Sequence, residues 1–258
     1  MKGPRQTHAA YSQPCPTSAL ETDPKPIASL ESHDMLLHLI NGEQRGSVLD
    51  VPCGRGALSV RLRRMGFDVS CCDIDRGLFD LHGFVLQEAD LNTDKLGYPN
   101  STFDYIVCAN GLHRLFCLDN AICEFARCLK RDGKLFISIP NYASLWRRLL
   151  FLLSGSFGTG VDRPTFTQVT NDPRAYFRRN LTLTQLDRVL KKHGFSRVDV
   201  YKSRTEKLNL LAVPLYPMVR LVSCLCPSRL RLKYNLDQAN SSVVLLGSDH
   251  VYVRASRS

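Results

Sequence analysis

The sequence predicts an α/β protein: a doubly wound, mostly parallel sheet of seven strands with helices on both faces. Three observations carry that prediction. Short apolar runs alternate with helical stretches from residue 47 to residue 140, the pattern of strands joined by crossover helices. A tight turn, Gly54-Arg55-Gly56, joins the first run to its helix. Acids stand at the ends of the first three runs: Asp50, Asp73 and Asp90. Right-handed crossovers then place every strand's carboxyl end on one edge, where ligands bind.

The elements follow in order. Residues 1–26 are polar and hold Pro14, Pro16, Pro24 and Pro26, which predicts a disordered leader without a signal-peptide core. Residues 27–258 read as one domain. Leu30, Met35, Leu36, Leu39 and Ile40 give helical spacing over 27–41, ended by Asn41-Gly42. "SVLDV" (47–51) is a buried strand. "ALSVRLRRMG" is a helix with Leu58, Leu62 and Met65 inward, arginines outward and Gly66 as its stop. "DVSCCDI", "FVLQEAD" (84–90) and "FDYIVCAN" (103–110) are the next strands. "LDNAICEFARCLKRDG" predicts a helix capped by Gly133, followed by strand "KLFISIP" (134–140). "TLTQLDRVLKKHG" (182–194) is a helix with Thr184 or Thr182 as N-cap and Gly194 as its end. "FSRVDVYKS" and "DHVYVRAS" (249–256) are the last strands. Segments 141–180 and 206–240 break the alternation, and both are basic and apolar. They read as cap or substrate segments.

Composition narrows the class. The hydrophobic fraction of 44% supports a full core, and the net charge of +10 favours anionic partners without naming one. Of the ten cysteines, Cys71, Cys72 and Cys108 lie inside apolar runs and read as small buried hydrophobes. Free thiols in a core point to a reducing, cytoplasmic setting. Nothing has zinc-ligand spacing, so no metal is expected. Residues 208–226 are apolar but broken by Pro214, Pro217 and Arg220, which argues against a transmembrane helix.

The turn "DVPCGRGA" carries the chemistry. Gly54 and Gly56 let the backbone approach a ligand, and the helix that follows offers free N–H groups. It fails the dinucleotide pattern GxGxxG, with Pro52 in place of the first glycine. Asp50 before the turn would repel a pyrophosphate and attract an ammonium group; its alternative is a turn-capping Asx residue. Asp73 suits two ribose hydroxyls, with Asp75 as the competing acid. Asp90 suits the exocyclic amine of adenine, with Leu91 against the ring; its alternative is a turn residue.

Taken together, "VLDVPCGRG", "VSCCDID", "EADLNTDKLGYPNSTFDYIVCANGLHRL" and "CLKRDGKLFISIPN" resemble the class I S-adenosylmethionine-dependent methyltransferases of the type 11/23 kind. The resemblance covers 33–140 and, more loosely, 182–202. It implies a Rossmann-like sheet and S-adenosyl-L-methionine as cofactor. It further implies that Asp50, Pro52, Cys53, Gly54 and Gly56 surround the methionine part and that Asp73 holds the ribose. Ile74 would line the adenine, Asp90 and Leu91 would meet its edge, and Asn110 would face both methionine and acceptor. Pro-Cys-Gly is a familiar variant of this turn. "GLHRL" departs from the usual Glu-His-Leu by one position, and His113 is the candidate base for an oxygen acceptor; its alternative is a helix-start surface or packing histidine.

The acceptor is expected to be a small or lipid-linked molecule. "CANG" lacks the Asn/Asp-Pro-Pro-aromatic string that enzymes methylating nucleic-acid bases share, which argues against DNA. The basic charge keeps RNA or protein as the alternative acceptor class, and a cofactor-binding module without turnover is the third reading. "LWRRLLFLL" and the 206–240 segment suit either a plain cap or peripheral contact with an anionic membrane.

Overall fold

The computed structural model of the chain describes residues 24–79, 81–156, 179–202 and 211–258. The centre of the sheet is set by strands apolar on both faces. Val48 and Leu49 of β1 (Ser47–Asp50) and Ile106 and Cys108 of β4 (Phe103–Ala109) have no exposed surface. That is how strands covered by helices on both sides must read. β2 (Asp68–Asp73) and β3 (Leu86–Glu88) extend one flank. β5 (Leu129–Pro140), β6 (Phe195–Tyr201) and β7 (His250–Arg257) extend the other. The order is β3-β2-β1-β4-β5-β7-β6 in one seven-stranded sheet.

β1 to β5 pair in parallel, whereas β7 runs antiparallel to both β5 and β6. The expectation that every strand ends on one edge is therefore corrected: β7 begins there, with His250 opposite Pro140. The reason is local. α6 (Leu215–Leu225), α7 (Ser228–Tyr234), α8 (Leu236–Ala239) and α9 (Ser242–Leu245) follow β6. Asn141, just past β5, holds Val244 O and Ser248 O, so the chain re-enters the sheet from the edge that β5 leaves.

Each face has its own core. α1 (Leu30–Asn41) and α2 (Ala57–Arg64) bury Leu36, Ile40, Leu58 and Leu62 against Val69 and Tyr105. α3 (Leu118–Cys128) and α5 (Leu183–Lys192) bury Ile122, Phe125, Leu186 and Leu190 against Leu49 and Ile137. α4 (Leu145–Ser154) roots beside β5 through buried Leu145, which packs with Ala212 and Leu245.

Some element boundaries differ from expectation: β3 covers only Leu86–Glu88 of 84–90, and β5 begins at Leu129 rather than at residue 134. α3 stops at Cys128, not Gly133. Leu129 turns extended and pairs with Phe103, while Ser101 N and Thr102 N donate to the last-turn carbonyls of Arg127 and Cys128. Gly133 lies inside β5, where a Cβ would sit 2.8 Å from Lys130 O. In α5 the N-cap is Thr182, whose hydroxyl accepts from Gln185 N in a capping box, while Thr184 donates to Tyr234 O. Gly66 and Gly194 follow their helices at positive φ, as expected. The expected leader lies outside the described residues except for 24–26, and so do 157–178 and 206–210 of the two expected cap segments. Among the described residues no helix is long and apolar enough to cross a membrane, and no cluster could hold a metal ion.

Candidate active site

β1 ends in Asp50 at the bottom of the carboxyl edge, with no exposed surface. Its Oδ2 accepts a 2.6 Å bond from Ser59 Oγ of α2, and its Oδ1 has no hydrogen-bond partner among the described residues. Burial pushes the carboxyl up to about 7, against the Ser59 bond, and the nearby Asp73 charge adds to the rise. A buried carboxylate oxygen without a donor is costly until a donor arrives. The chemistry of that oxygen fits a ligand ammonium group.

The turn above Asp50 is held by backbone bonds. Cys53 N donates to Cys72 O at 2.9 Å, and Gly56 N donates to Cys53 O at 2.9 Å. Gly54 and Gly56 take φ of 53° and 81°, values that glycine adopts without strain. The Cys53 thiol is pushed up by its hydrogen bond with Cys71 and by burial, so it stays protonated. Pro52 packs its ring onto Gly111: a Cβ on Gly111 would lie 2.3 Å from Pro52 Cδ. The proline that replaces the usual glycine is thus matched by a glycine just after β4.

Asp73 ends β2, buried, and turns toward the glycine turn. Its Oδ2 accepts from Gly54 N at 2.7 Å and its Oδ1 from Asp75 N at 3.1 Å. Asp75 is exposed and caps the 76–78 turn through Gly77 N. Between the two acids the structure brings Asp73 to the site. It also gives Asp73 a duty the sequence did not signal, pinning the turn to β2. A carboxylate has about four acceptor positions, so two occupied ones leave room for hydroxyl donors. Ile74 beside it is exposed on the edge.

Asp90 Oδ1 accepts from Asn92 N and Nδ2, an Asx turn, and Leu91 is buried behind it. Asn92 Oδ1 in turn takes Phe116 N at 2.7 Å, latching this loop to the one after β4. Asn110 follows β4 with φ 53°. Its Nδ2 donates to Ser32 Oγ at 3.3 Å, and its Oδ1 accepts from Ser138 Oγ at 3.1 Å. His113 is buried three residues on, and its carbonyl accepts from Arg179 N at 2.7 Å.

Several residues at this edge escaped the sequence reading. The first turn of α1 brings Ser32 onto Asn110 from 78 residues away. Its neighbour His33 is buried, and burial, helped by the Arg61 charge, pushes its imidazole down to about 4. Ile27 lies over Gly54, with its Cδ1 3.0 Å from where a Cβ would be. Leu81 Cδ1 and Phe79 Cε2 cover Gly56 at 2.2 and 3.0 Å by the same measure. The run "RGLFDLHGF" after the second strand carried an apolar signal that marks this cover.

A family model described as a methyltransferase domain matches residues 31–200. A ubiquinone/menaquinone biosynthesis C-methyltransferase from Bradyrhizobium sp. is 23% identical over 188 residues, 64% of this chain and 73% of that one. The protein of the same description from Chromobacterium violaceum is 30% identical over 113 residues. That match covers 40% of this chain and 45% of the relative, so the chain spans less than half of its length. Among solved structures, a SAM-dependent methyltransferase from Archaeoglobus fulgidus superposes with TM-score 0.57 at 16% identity, covering 88% of this chain and 93% of that one. Phosphoethanolamine N-methyltransferase 2 of Haemonchus contortus, in complex with S-adenosyl-L-methionine, superposes with TM-score 0.51 at 13% identity, covering 88% and 52%. The likeness to these structures is one of fold. With the matched domain spanning most of the chain, the protein belongs to the methyltransferase-domain family: it is a class I S-adenosyl-L-methionine-dependent methyltransferase.

Proposed function

We propose that this methyltransferase acts on a small-molecule or lipid-linked acceptor bound between the first turn of α1, the Asn110 turn and the root of α4. One observation carries the reading: Ser32 of α1 accepts from Asn110 Nδ2 at the carboxyl edge of the sheet. A helix tied down beside the site leaves less room for a polymer than for a small acceptor. The bacterial relatives, C-methyltransferases of ubiquinone/menaquinone biosynthesis, support the same class.

The proposed roles follow from position. Asp50 would hold the ammonium of the cofactor's methionine part beside Gly54 and Gly56, with Pro52 and Cys53 shaping the turn. Asp73 would take the ribose hydroxyls while keeping its bond to Gly54 N. Ile74 would contact the adenine, with Asp90 and Leu91 at its edge. Bound S-adenosyl-L-methionine supplies a methyl already activated on a sulfonium. The residues then orient the acceptor in line with that methyl and exclude water. Asn110 lies between cofactor and acceptor, held by Ser138 and Ser32. For an oxygen acceptor, His113 takes the proton.

Radiolabelled methyl transfer from the cofactor into separated lipid, small-molecule, RNA and protein fractions tests the reading. Label in the lipid or small-molecule fraction is expected. Label confined to RNA or protein would overturn the acceptor class.

A further inference from the structure

α6 is apolar on both sides. Its inward side is Leu215, Tyr216, Val219 and the buried Ser223, whose hydroxyl accepts from Asn240 Nδ2 at 2.6 Å. Its outward side is Met218, Leu221, Val222 and Leu225, spaced i, i+3, i+4, i+7 and 56–74% exposed. That spacing is one continuous apolar stripe facing solvent. α4, which packs against α6 through Leu145, Leu215 and Val219, ends in Leu152 and Leu153, 80% and 77% exposed. α7 adds Leu232 at 82%. Exposed apolar surface contributed by adjoining helices marks an interaction site.

Charge selects the partner. Residues 141–156 and 211–235 contain Arg147, Arg148, Arg220, Arg229, Arg231 and Lys233 and not one Asp or Glu. Arg148 is held by neutral oxygens, those of Ala143, Ala239 and the Asn240 side chain. Arg220 is held by Asn240 O. These bonds fix the helices without cancelling the charge of Arg148 and Arg220, whereas Arg147 is paired with Asp249 and Arg231 with Asp237. α7 intersperses Arg229 and Lys233, which have no carboxylate partner among the described residues, with Leu230 and Leu232. Apolar stripes edged by such cations are the pattern of helices that lie in the interface of an anionic bilayer. The position is also suited to it: α4 starts five residues after β5 ends at the carboxyl edge, and Arg147 binds Asp249 next to the start of β7.

We propose that α4, α6 and α7 form a docking surface for an anionic lipid bilayer. Its use in delivering a lipid-linked acceptor rests on the acceptor class proposed above; the surface itself stands apart from turnover. The test is flotation of the full chain with vesicles of phosphatidylcholine alone and of phosphatidylcholine with phosphatidylglycerol. The wild type floats with the anionic vesicles. The Arg229→Gln/Lys233→Gln variant partitions about fivefold less per removed cation. The Leu221→Glu/Leu225→Glu variant loses flotation by at least about tenfold. Both variants keep wild-type affinity for S-adenosylhomocysteine by calorimetry, which shows that they are folded. Wild type left at the bottom of the anionic gradient overturns the proposal. So does a dimer in sedimentation that Leu221→Glu/Leu225→Glu dissociates, since a second copy would then own the face. Flotation that persists while methyl label enters only water-soluble compounds leaves the surface standing and removes the lipid-linked acceptor.

Discussion

Burial pushes the Asp50 carboxyl up to about 7, so the folded chain keeps this proton to higher pH than an exposed carboxylate would. Between the unfolded value near 4 and about 7, the unfolded chain has released a proton that the folded chain keeps. Folded stability contributed by this group therefore falls as pH rises through that window and is flat above it. A ligand ammonium beside Oδ1 favours the carboxylate and drives the proton off. S-adenosylhomocysteine affinity is thus expected to rise with pH up to about 7, with proton release visible by calorimetry in buffers of different ionisation heat. Asp50→Asn should abolish that slope and weaken binding by about 1.5–3 kcal/mol, roughly 10- to 100-fold. A slope that survives in Asp50→Asn would assign it to another group. At the neighbouring turn, Gly111→Ala drives a methyl into Pro52 and should cost about 1–3 kcal/mol by urea denaturation. Pro52→Gly in the same chain should recover most of the loss, a coupling that independent sites would not show.

The elements are held together by a few long-range ties, and α3 supplies the clearest, beside the start of β4. Glu124 accepts from Leu96 N at 2.8 Å and from Arg127, which also donates to Leu96 O and Tyr98 O. Burial would raise the Glu124 carboxyl, but the Arg127 and Leu96 hydrogen bonds outweigh it and hold it below the usual range. Stability from this group is present above the unfolded carboxylate value and is lost as pH falls through the folded one. Glu124→Gln should cost about 1–3 kcal/mol at neutral pH and flatten the acid side of the stability profile, measured by denaturation from pH 3 to 7. The central strands were legible in the sequence because their apolar runs, such as Val48-Leu49 and Ile106-Val107-Cys108, are buried on both faces. The end of α3 was not: local signals run on to Gly133, and only the pairing of Leu129 with Phe103 stops the helix earlier. The direction of β7 was equally hidden, since alternation along a strand says nothing of its partner's sense. At the site, Asp50, Gly54, Gly56 and Asp73 were legible because they lie within one βαβ unit. Ser32 over Asn110 and Leu81 over Gly56 needed the folded chain, because their meaning is the contact itself.

For the molecule as a whole, cofactor binding is linked to folding. S-adenosylhomocysteine at 100 times its Kd should stabilise the fold by about 2.7 kcal/mol. For a chain of this size that is a rise in Tm of roughly 5–10 °C by differential scanning fluorimetry. An unmoved Tm at saturating ligand would contradict the proposed site. The sheet order has a consequence for how the protein is made. β7 is the last strand in the chain, yet it lies between β5 and β6. While a ribosome is still synthesising residues 250–257, β5 and β6 have nothing between them, and the β5 edge is bare. An apolar edge in that state is open to pairing with other chains. The nascent protein is therefore expected to remain protease-sensitive until the last strand emerges, and then to close abruptly. Pulse proteolysis of stalled chains ending before and after β7 would reveal that step.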